Sequence, residues 1–231
     1  MLNSLISDLK NLASKEKAII LSRFFKTGKG QYGEGDVFLG IVVPNQRKVA
    51  EKYRNLSLKD IQKLLSSKIH EHRLTALFIL IHKYKKGDEK TKREIFNFYL
   101  KNAKRINNWD LVDLSAPNII GDYLIKKEKD MLYRFAKSKN IWEKRIAILA
   151  TYFFIKNYQY KDTLKIAKIL LKDSHDLIHK AVGWMLREVG KRNQKAEESF
   201  LKKHYKTMPR TALRYAIERF DEKKKRFYMK R

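Results

Sequence analysis

The 231-residue chain contains no cysteine. That excludes a disulfide framework, a thiol nucleophile and a zinc–thiolate centre together. Proline occurs three times, and five of the nine glycines crowd between Gly28 and Gly40. Outside that window, little in the sequence would interrupt a helix. Long apolar runs are missing too. The longest, Ile146 to Ile155, is ten residues with a threonine inside, against the ~20 that a membrane-spanning helix needs. The opening residues place Asp8 and Lys10 after a short apolar start, with no small-residue cleavage site, so a signal peptide is not expected. Acidic residues are scarce, 25 against 53 Lys and Arg, which leaves a net charge of +28. Such an excess points to a polyanionic partner, nucleic acid in preference to a membrane surface. The expectation is a cytoplasmic monomer, nucleoid-associated if the source is prokaryotic, that uses no metal and no cofactor.

What is present is helical periodicity. Leu2, Leu5, Ile6, Leu9 and Leu12 mark one amphipathic helix, and Ala18, Ile19, Leu21, Phe24 and Phe25 a second. The glycine-rich stretch from Lys26 to Asp36 follows. It lacks both the phosphate-loop pattern and a preceding strand, so it reads as a basic loop resting on phosphate, or as a plain solvated linker. Pro44 suits the first turn of a helix to about Arg54, and Ser57 with Asp60 opens another from Leu58 to Ser66. Further helices are expected over 70–85, 88–102, from Trp109, from Pro117 to Lys126, and over 130–138, 142–156, 161–171, 176–191, 195–205 and 209–220. The basic residues Lys223 to Arg226 fall in a frayed tail from about residue 221. The total is about thirteen helices in short-looped pairs at roughly the 35–45-residue spacing of helical repeats. The expected fold is therefore all-α: a HEAT-like helical-repeat solenoid, an α-α superhelix forming one domain, with a concave basic face to follow a duplex backbone.

Asn107-Asn108-Trp109-Asp110-Leu111-Val112-Asp113 holds the most suggestive residues. Asn108 is a good N-cap, and a helix from there sets Trp109 and Asp113 one turn apart on one face. An indole beside a carboxylate is an unusual pair in so basic a chain. A core tryptophan and an interhelical salt bridge would explain it equally well for an isolated W-x-x-x-D. Three later stretches could join it. Trp142-Glu143-Lys144-Arg145 opens a helix on which Trp142 is expected to pack, while Arg145, near the positive end of the helix dipole, calls for an anionic partner, phosphate or Asp113. Lys180, Trp184 and Arg187 share a face, and Gly183 beside Trp184 implies a close approach, by a ligand or by a packed helix. Arg210 and Arg214 could clamp phosphate at a helix start. His175 and His179 lack the glutamate and third ligand of a zinc site, and His70 and His72 are expected at the surface.

Asn108–Asp113, Trp142–Arg145, the run from Lys180 to Gly190, the run from Pro209 to Glu218 and Phe38–Pro44 together resemble the AlkD family of DNA alkylation-repair glycosylases. The matches follow one another in order over most of the chain. The resemblance implies a HEAT-like solenoid that excises cationic alkylated purines, such as N3-alkyladenine and N7-alkylguanine, from double-stranded DNA. It implies Asp113 as the catalytic carboxylate, Trp109 and Trp184 as aromatic walls around the lesion's deoxyribose, and Arg145 as a phosphate contact. Lys144, Lys180, Arg187, Arg210 and Arg214 complete the expected DNA-binding set. One carboxylate suffices for such chemistry, because a base that is already cationic departs neutral without a general acid. A non-catalytic helical-repeat DNA- or RNA-binding protein is the principal alternative, and an adaptor for acidic proteins a more distant one. The retained carboxylate separates them, since Asp113 would only weaken simple DNA binding.

Overall fold

In the computed structural model, which describes residues 1–230, the chain is all-helical, with fifteen α-helical segments and a single isolated bridge between Val37 and Ile69. It divides into two compact units, Met1–Leu111 and the residues from Val112 onward.

In the first unit, α1 (Leu2–Asn11) buries Leu5 and Leu9, one turn apart. Ser14 caps α2 (Lys15–Phe24), which buries none of its own residues: Ile19, Ile20 and Phe24 are 57%, 58% and 61% exposed. The buried aromatic lies just past its end, at Phe25. Then come α3 (Val43–Lys52), with Pro44 in its first turn, and α4 (Leu58–Leu65), capped by Ser57. The central element is α5 (His70–Lys86), against which α1, α3, α4 and α6 (Glu89–Lys101) all pack. Because neighbours surround it, every residue from His70 to Leu80 is buried. That corrects the expectation of surface positions for His70 and His72, which are 2% and 7% exposed. A helix covered on several sides buries its polar residues along with its apolar ones.

The glycine-rich stretch is anchored at its far end. The buried Glu71 carboxylate accepts the N–H groups of Leu39, Gly40 and Ile41 at 2.8–3.2 Å. Gly40 has φ +82°, and a Cβ there would sit 2.2 Å from the Ser14 carbonyl oxygen, so only glycine fits. A 3₁₀ turn, Ala103–Arg105, leads into α7 (Trp109–Ala116). The division between the units falls inside α7, leaving Trp109 in the first and Asp113 in the second.

The second unit continues from α7 through a π-helical turn, Pro117–Gly121, into α8 (Asp122–Leu124). Pro117 thus extends a helix where a fresh start was expected. The wider turn absorbs a residue that cannot donate an N–H. Next come α9 (Asp130–Ala136), α10 (Ile141–Lys156), α11 (Lys161–Leu170), α12 (Asp176–Gly190), α13 (Gln194–His204) and α14 (Arg210–Ala216), which runs into a 3₁₀ turn at Ile217–Arg219. α10, α12 and α14 pack in succession, with α9 and α11 against α10 and α13 against α12. This is the neighbour-to-neighbour logic of helical repeats. The residues expected as a frayed tail form α15 (Glu222–Met229): Asp221 caps it, and Tyr228 is buried.

Candidate functional site

Asp113 lies on α7 and Arg145 near the start of α10. The guanidinium lies side-on to the carboxylate, with Nε donating to Oδ1 and Nη2 to Oδ2, both at 2.7 Å. Nη1 donates to the Leu177 carbonyl at 2.6 Å, which ties α10 to the start of α12. The arginine side chain is 6% exposed and the aspartate 14%. Of the two partners the sequence left open for Arg145, the carboxylate is the one in contact. A fork of this kind fixes the plane of the carboxylate as well as its position.

Trp184 is half-buried on α12, its ring 6.0 Å from that of Tyr152 and tilted by 40°. Tyr152 is a neighbour that sequence reasoning missed; beside Phe153 and Phe154 on α10 it gives no separate signal. Gly183 packs against α14, where a Cβ would meet the Ala212 carbonyl oxygen at 2.4 Å. Its close approach is therefore to a helix. Trp142 is buried, as expected of a packing residue.

The other cations expected on DNA have protein partners to different degrees. Lys144 pairs with Asp173 at 2.5 Å, which helps hold that carboxyl below its usual range although burial pushes it up. Lys180 pairs with Asp176 at 2.8 Å, both well exposed. Arg187 pairs with Glu218, and Arg210 donates to the Met229 carbonyl at 3.1 Å, securing α15. Arg214 is exposed. His175 serves as the cap of α12, its Nδ1 accepting from Leu177, and His179 contacts the Asp173 carbonyl oxygen. Among the described residues, no group of three or more His, Asp and Glu side chains is placed to hold a metal ion.

In the first unit, Trp109 stacks on Phe25 at 5.0 Å and 14°, with Phe24 edge-on at 5.9 Å. Phe25 in turn stacks on Phe38 and touches the His70 ring. These aromatics adjoin an apolar cavity of about 320 Å³, walled by Ile20, Leu21, Phe25, Phe38, Ile41 and Leu74. Behind them His70 contacts Asp36 through Nδ1 at 3.3 Å and Asp110 through Nε2 at 2.8 Å. Arg73 adds a 2.7 Å pair to Asp36. Asn108 donates to Asp36 at 3.2 Å while its own oxygen accepts the Trp109 N–H at 2.8 Å. The capping role expected of Asn108 is thus part of a larger polar cluster. Its other members lie far apart in sequence and carry no joint motif.

A match to DNA alkylation repair enzymes extends over residues 5–220. The chain belongs to the DNA alkylation repair enzyme family. Among solved structures, a protein described as a predicted DNA alkylation repair enzyme from Enterococcus faecalis is similar in fold, with a TM-score of 0.70 at 16% identity. The likeness covers 91% of this chain and 97% of the other. No curated protein matches the chain. Family membership carries a role in the repair of alkylated DNA and an enzymatic character. Among the described residues, no helix is long and apolar enough to cross a membrane.

Proposed function

We propose that this repair enzyme is a DNA N-glycosylase of base excision repair, which hydrolyses the bond between deoxyribose and a cationic alkylated purine in duplex DNA. The observation that carries the proposal is the forked pair between Asp113 and Arg145. A carboxylate whose two oxygens both accept guanidinium N–H groups is held as an anion, with no proton to give a leaving base. General acid catalysis by Asp113 is therefore disfavoured, and electrostatic catalysis is favoured. The C1′–N bond breaks with its electron pair going to the purine, which leaves neutral because it began with a positive charge. The sugar is left as an oxocarbenium ion that Asp113 stabilises. Water, oriented by the Asp113 carboxylate, adds to C1′ and gives up its proton to solvent. In this scheme Trp109 and Trp184 offer indole faces to the cationic sugar, and N3-alkyladenine and N7-alkylguanine are the substrates. No cofactor is required by it.

Single-turnover base release tests the proposal. Wild-type protein should release N7-methylguanine from a duplex far faster than hypoxanthine, a neutral lesion base. Asp113→Asn should slow release by about 10²-fold or more, by analogy with other pre-organised electrostatic groups. The substitution also breaks a nearly buried pair, at a cost of about 3–5 kcal/mol, so release is measured well below the variant's own melting temperature. Wild-type release by folded Asp113→Asn would reject the assignment. Tight duplex binding by wild type with no release of any base would favour a non-catalytic DNA-binding protein.

A further inference from the structure

The cluster around His70 has a chemistry of its own. His70 lies at the start of α5, 2% exposed, and each ring nitrogen faces a carboxylate oxygen. An ionised carboxylate only accepts hydrogen bonds, and a neutral imidazole has one N–H and one lone pair. A neutral ring would therefore set its lone pair against either Asp36 at 3.3 Å or Asp110 at 2.8 Å. An imidazolium donates to both. With Arg73 on the other Asp36 oxygen, two cations then balance two carboxylates. The charged neighbours are Asp36 from the glycine-rich stretch, Glu71 and Arg73 from α5 itself, and Asp110 from α7. Phe38 stacks on the ring and Phe25 lies tilted against it, and Lys17 lines the adjoining cavity.

The cluster also holds the first turn of α7. Asp110 accepts the Leu111 N–H at 2.8 Å through the oxygen that His70 leaves free. Asn108 is bound to Asp36 through its amide nitrogen and to Trp109 through its oxygen. Asn108 and Asp110 thus tie the entry to α7 to Asp36 and His70. We infer that His70 is a positioning residue, whose doubly protonated ring, clamped between Asp36 and Asp110, fixes the first turn of α7 and with it the indole of Trp109. Its effect on catalysis rests on the glycosylase reading; its effect on Trp109 does not.

Burial opposes the charged ring, but Asp110 and then Asp36 outweigh it, so the His70 pKa is raised. A histidine with a raised folded pKa contributes stability that is complete at acid pH and is lost as pH climbs through the folded value. The order at Trp109 should follow the same limb.

The experiment is NMR of the full chain with the rate of base release followed over pH. The His70 ring signals are assigned by their loss in His70→Gln. At pH 7 the ring should show two N–H protons. Asp110→Asn keeps the shape and one oxygen, which can meet Nε2 at the expense of the Leu111 N–H, and removes one charge that holds the proton. It should move the alkaline fall in N7-methylguanine release, and the accompanying shift of the Trp109 indole N–H, to lower pH by about one unit or more. Affinity for undamaged duplex should be unchanged. A ring with a single N–H at pH 7, or an alkaline limb unmoved in folded Asp110→Asn, would overturn the inference. If wild type released no base at any pH, the glycosylase reading would fall alone. The Trp109 indole signal would then decide: movement with the His70 titration supports the positioning role, and a signal indifferent to it rejects it.

Discussion

A buried carboxyl group with a guanidinium across it and one without meet opposite fates, and this chain has both. Asp113 keeps its charge because Arg145 lies on both oxygens. Glu197, on α13, is 2% exposed, and its Oε1 has no hydrogen-bond partner. Burial, with a smaller push from Glu198 and some relief from Arg187, raises its pKa to about 8. The folded state therefore holds this proton at pH values where the unfolded chain has released it. Stability that is complete below the ordinary glutamate range should be lost as pH rises toward about 8. Glu197→Gln keeps the volume and cannot ionise. Thermal melts of wild type and variant should coincide near pH 4 and separate progressively by pH 8, with the variant higher. Parallel curves across that range would show that Glu197 finds a compensating partner.

At the scale of the helix, the most exacting contact is between α12 and α14. A methyl group at Gly183 would meet the Ala212 carbonyl oxygen at 2.4 Å and the Tyr215 Cβ at 2.5 Å. Alanine improves intrinsic helix propensity by about 1 kcal/mol, but the opposing atoms belong to a backbone and a Cβ, which cannot rotate away. Overpacking of this kind costs about 1–3 kcal/mol. Gly183→Ala should therefore lower stability despite the propensity gain, measured as a reduced urea midpoint with an unchanged slope. An increased midpoint would mean that α14 can shift outward at little cost. Packing is the force that decides here, as it does for α7, where Pro117 is accommodated by a π turn without ending the helix.

Across the whole molecule, the net charge of +28 governs partners more than fold. Duplex binding should weaken linearly in log K against log salt, with a slope of about −0.9 per phosphate neutralised. The six cations expected on DNA should differ in that measurement. Arg145 is 5% exposed and occupied by Asp113 and the Leu177 carbonyl, so Arg145→Ala should cost stability and leave the salt slope unchanged. Arg214 is exposed on α14, and Arg214→Ala should flatten the slope by about one unit if it meets a phosphate. Binding isotherms at a series of salt concentrations distinguish them. A slope lowered equally by both substitutions would return Arg145 to the phosphate-contacting set.

The sequence by itself determined the all-helical class and most helix limits, because 3.6-residue periodicity, the Ser57 cap and the scarcity of proline are local signals. It also set apart Asp113 and Trp109 by their spacing, and it carried the resemblance that family membership supports. Tertiary structure alone decided which partner Arg145 takes, since phosphate and carboxylate present the same charge to a guanidinium. It alone buried His70 and His72: burial depends on how many neighbours cover α5, and one helix's periodicity does not count them. It turned the basic segment after Asp221 into a helix, because the burial of Tyr228 and the contact of Arg210 with the Met229 carbonyl come from another part of the chain. The cluster of Asp36, His70, Arg73 and Asp110 was illegible for the same reason. Its members stand up to 74 positions apart, and only folding brings together charges that have no local reason to meet.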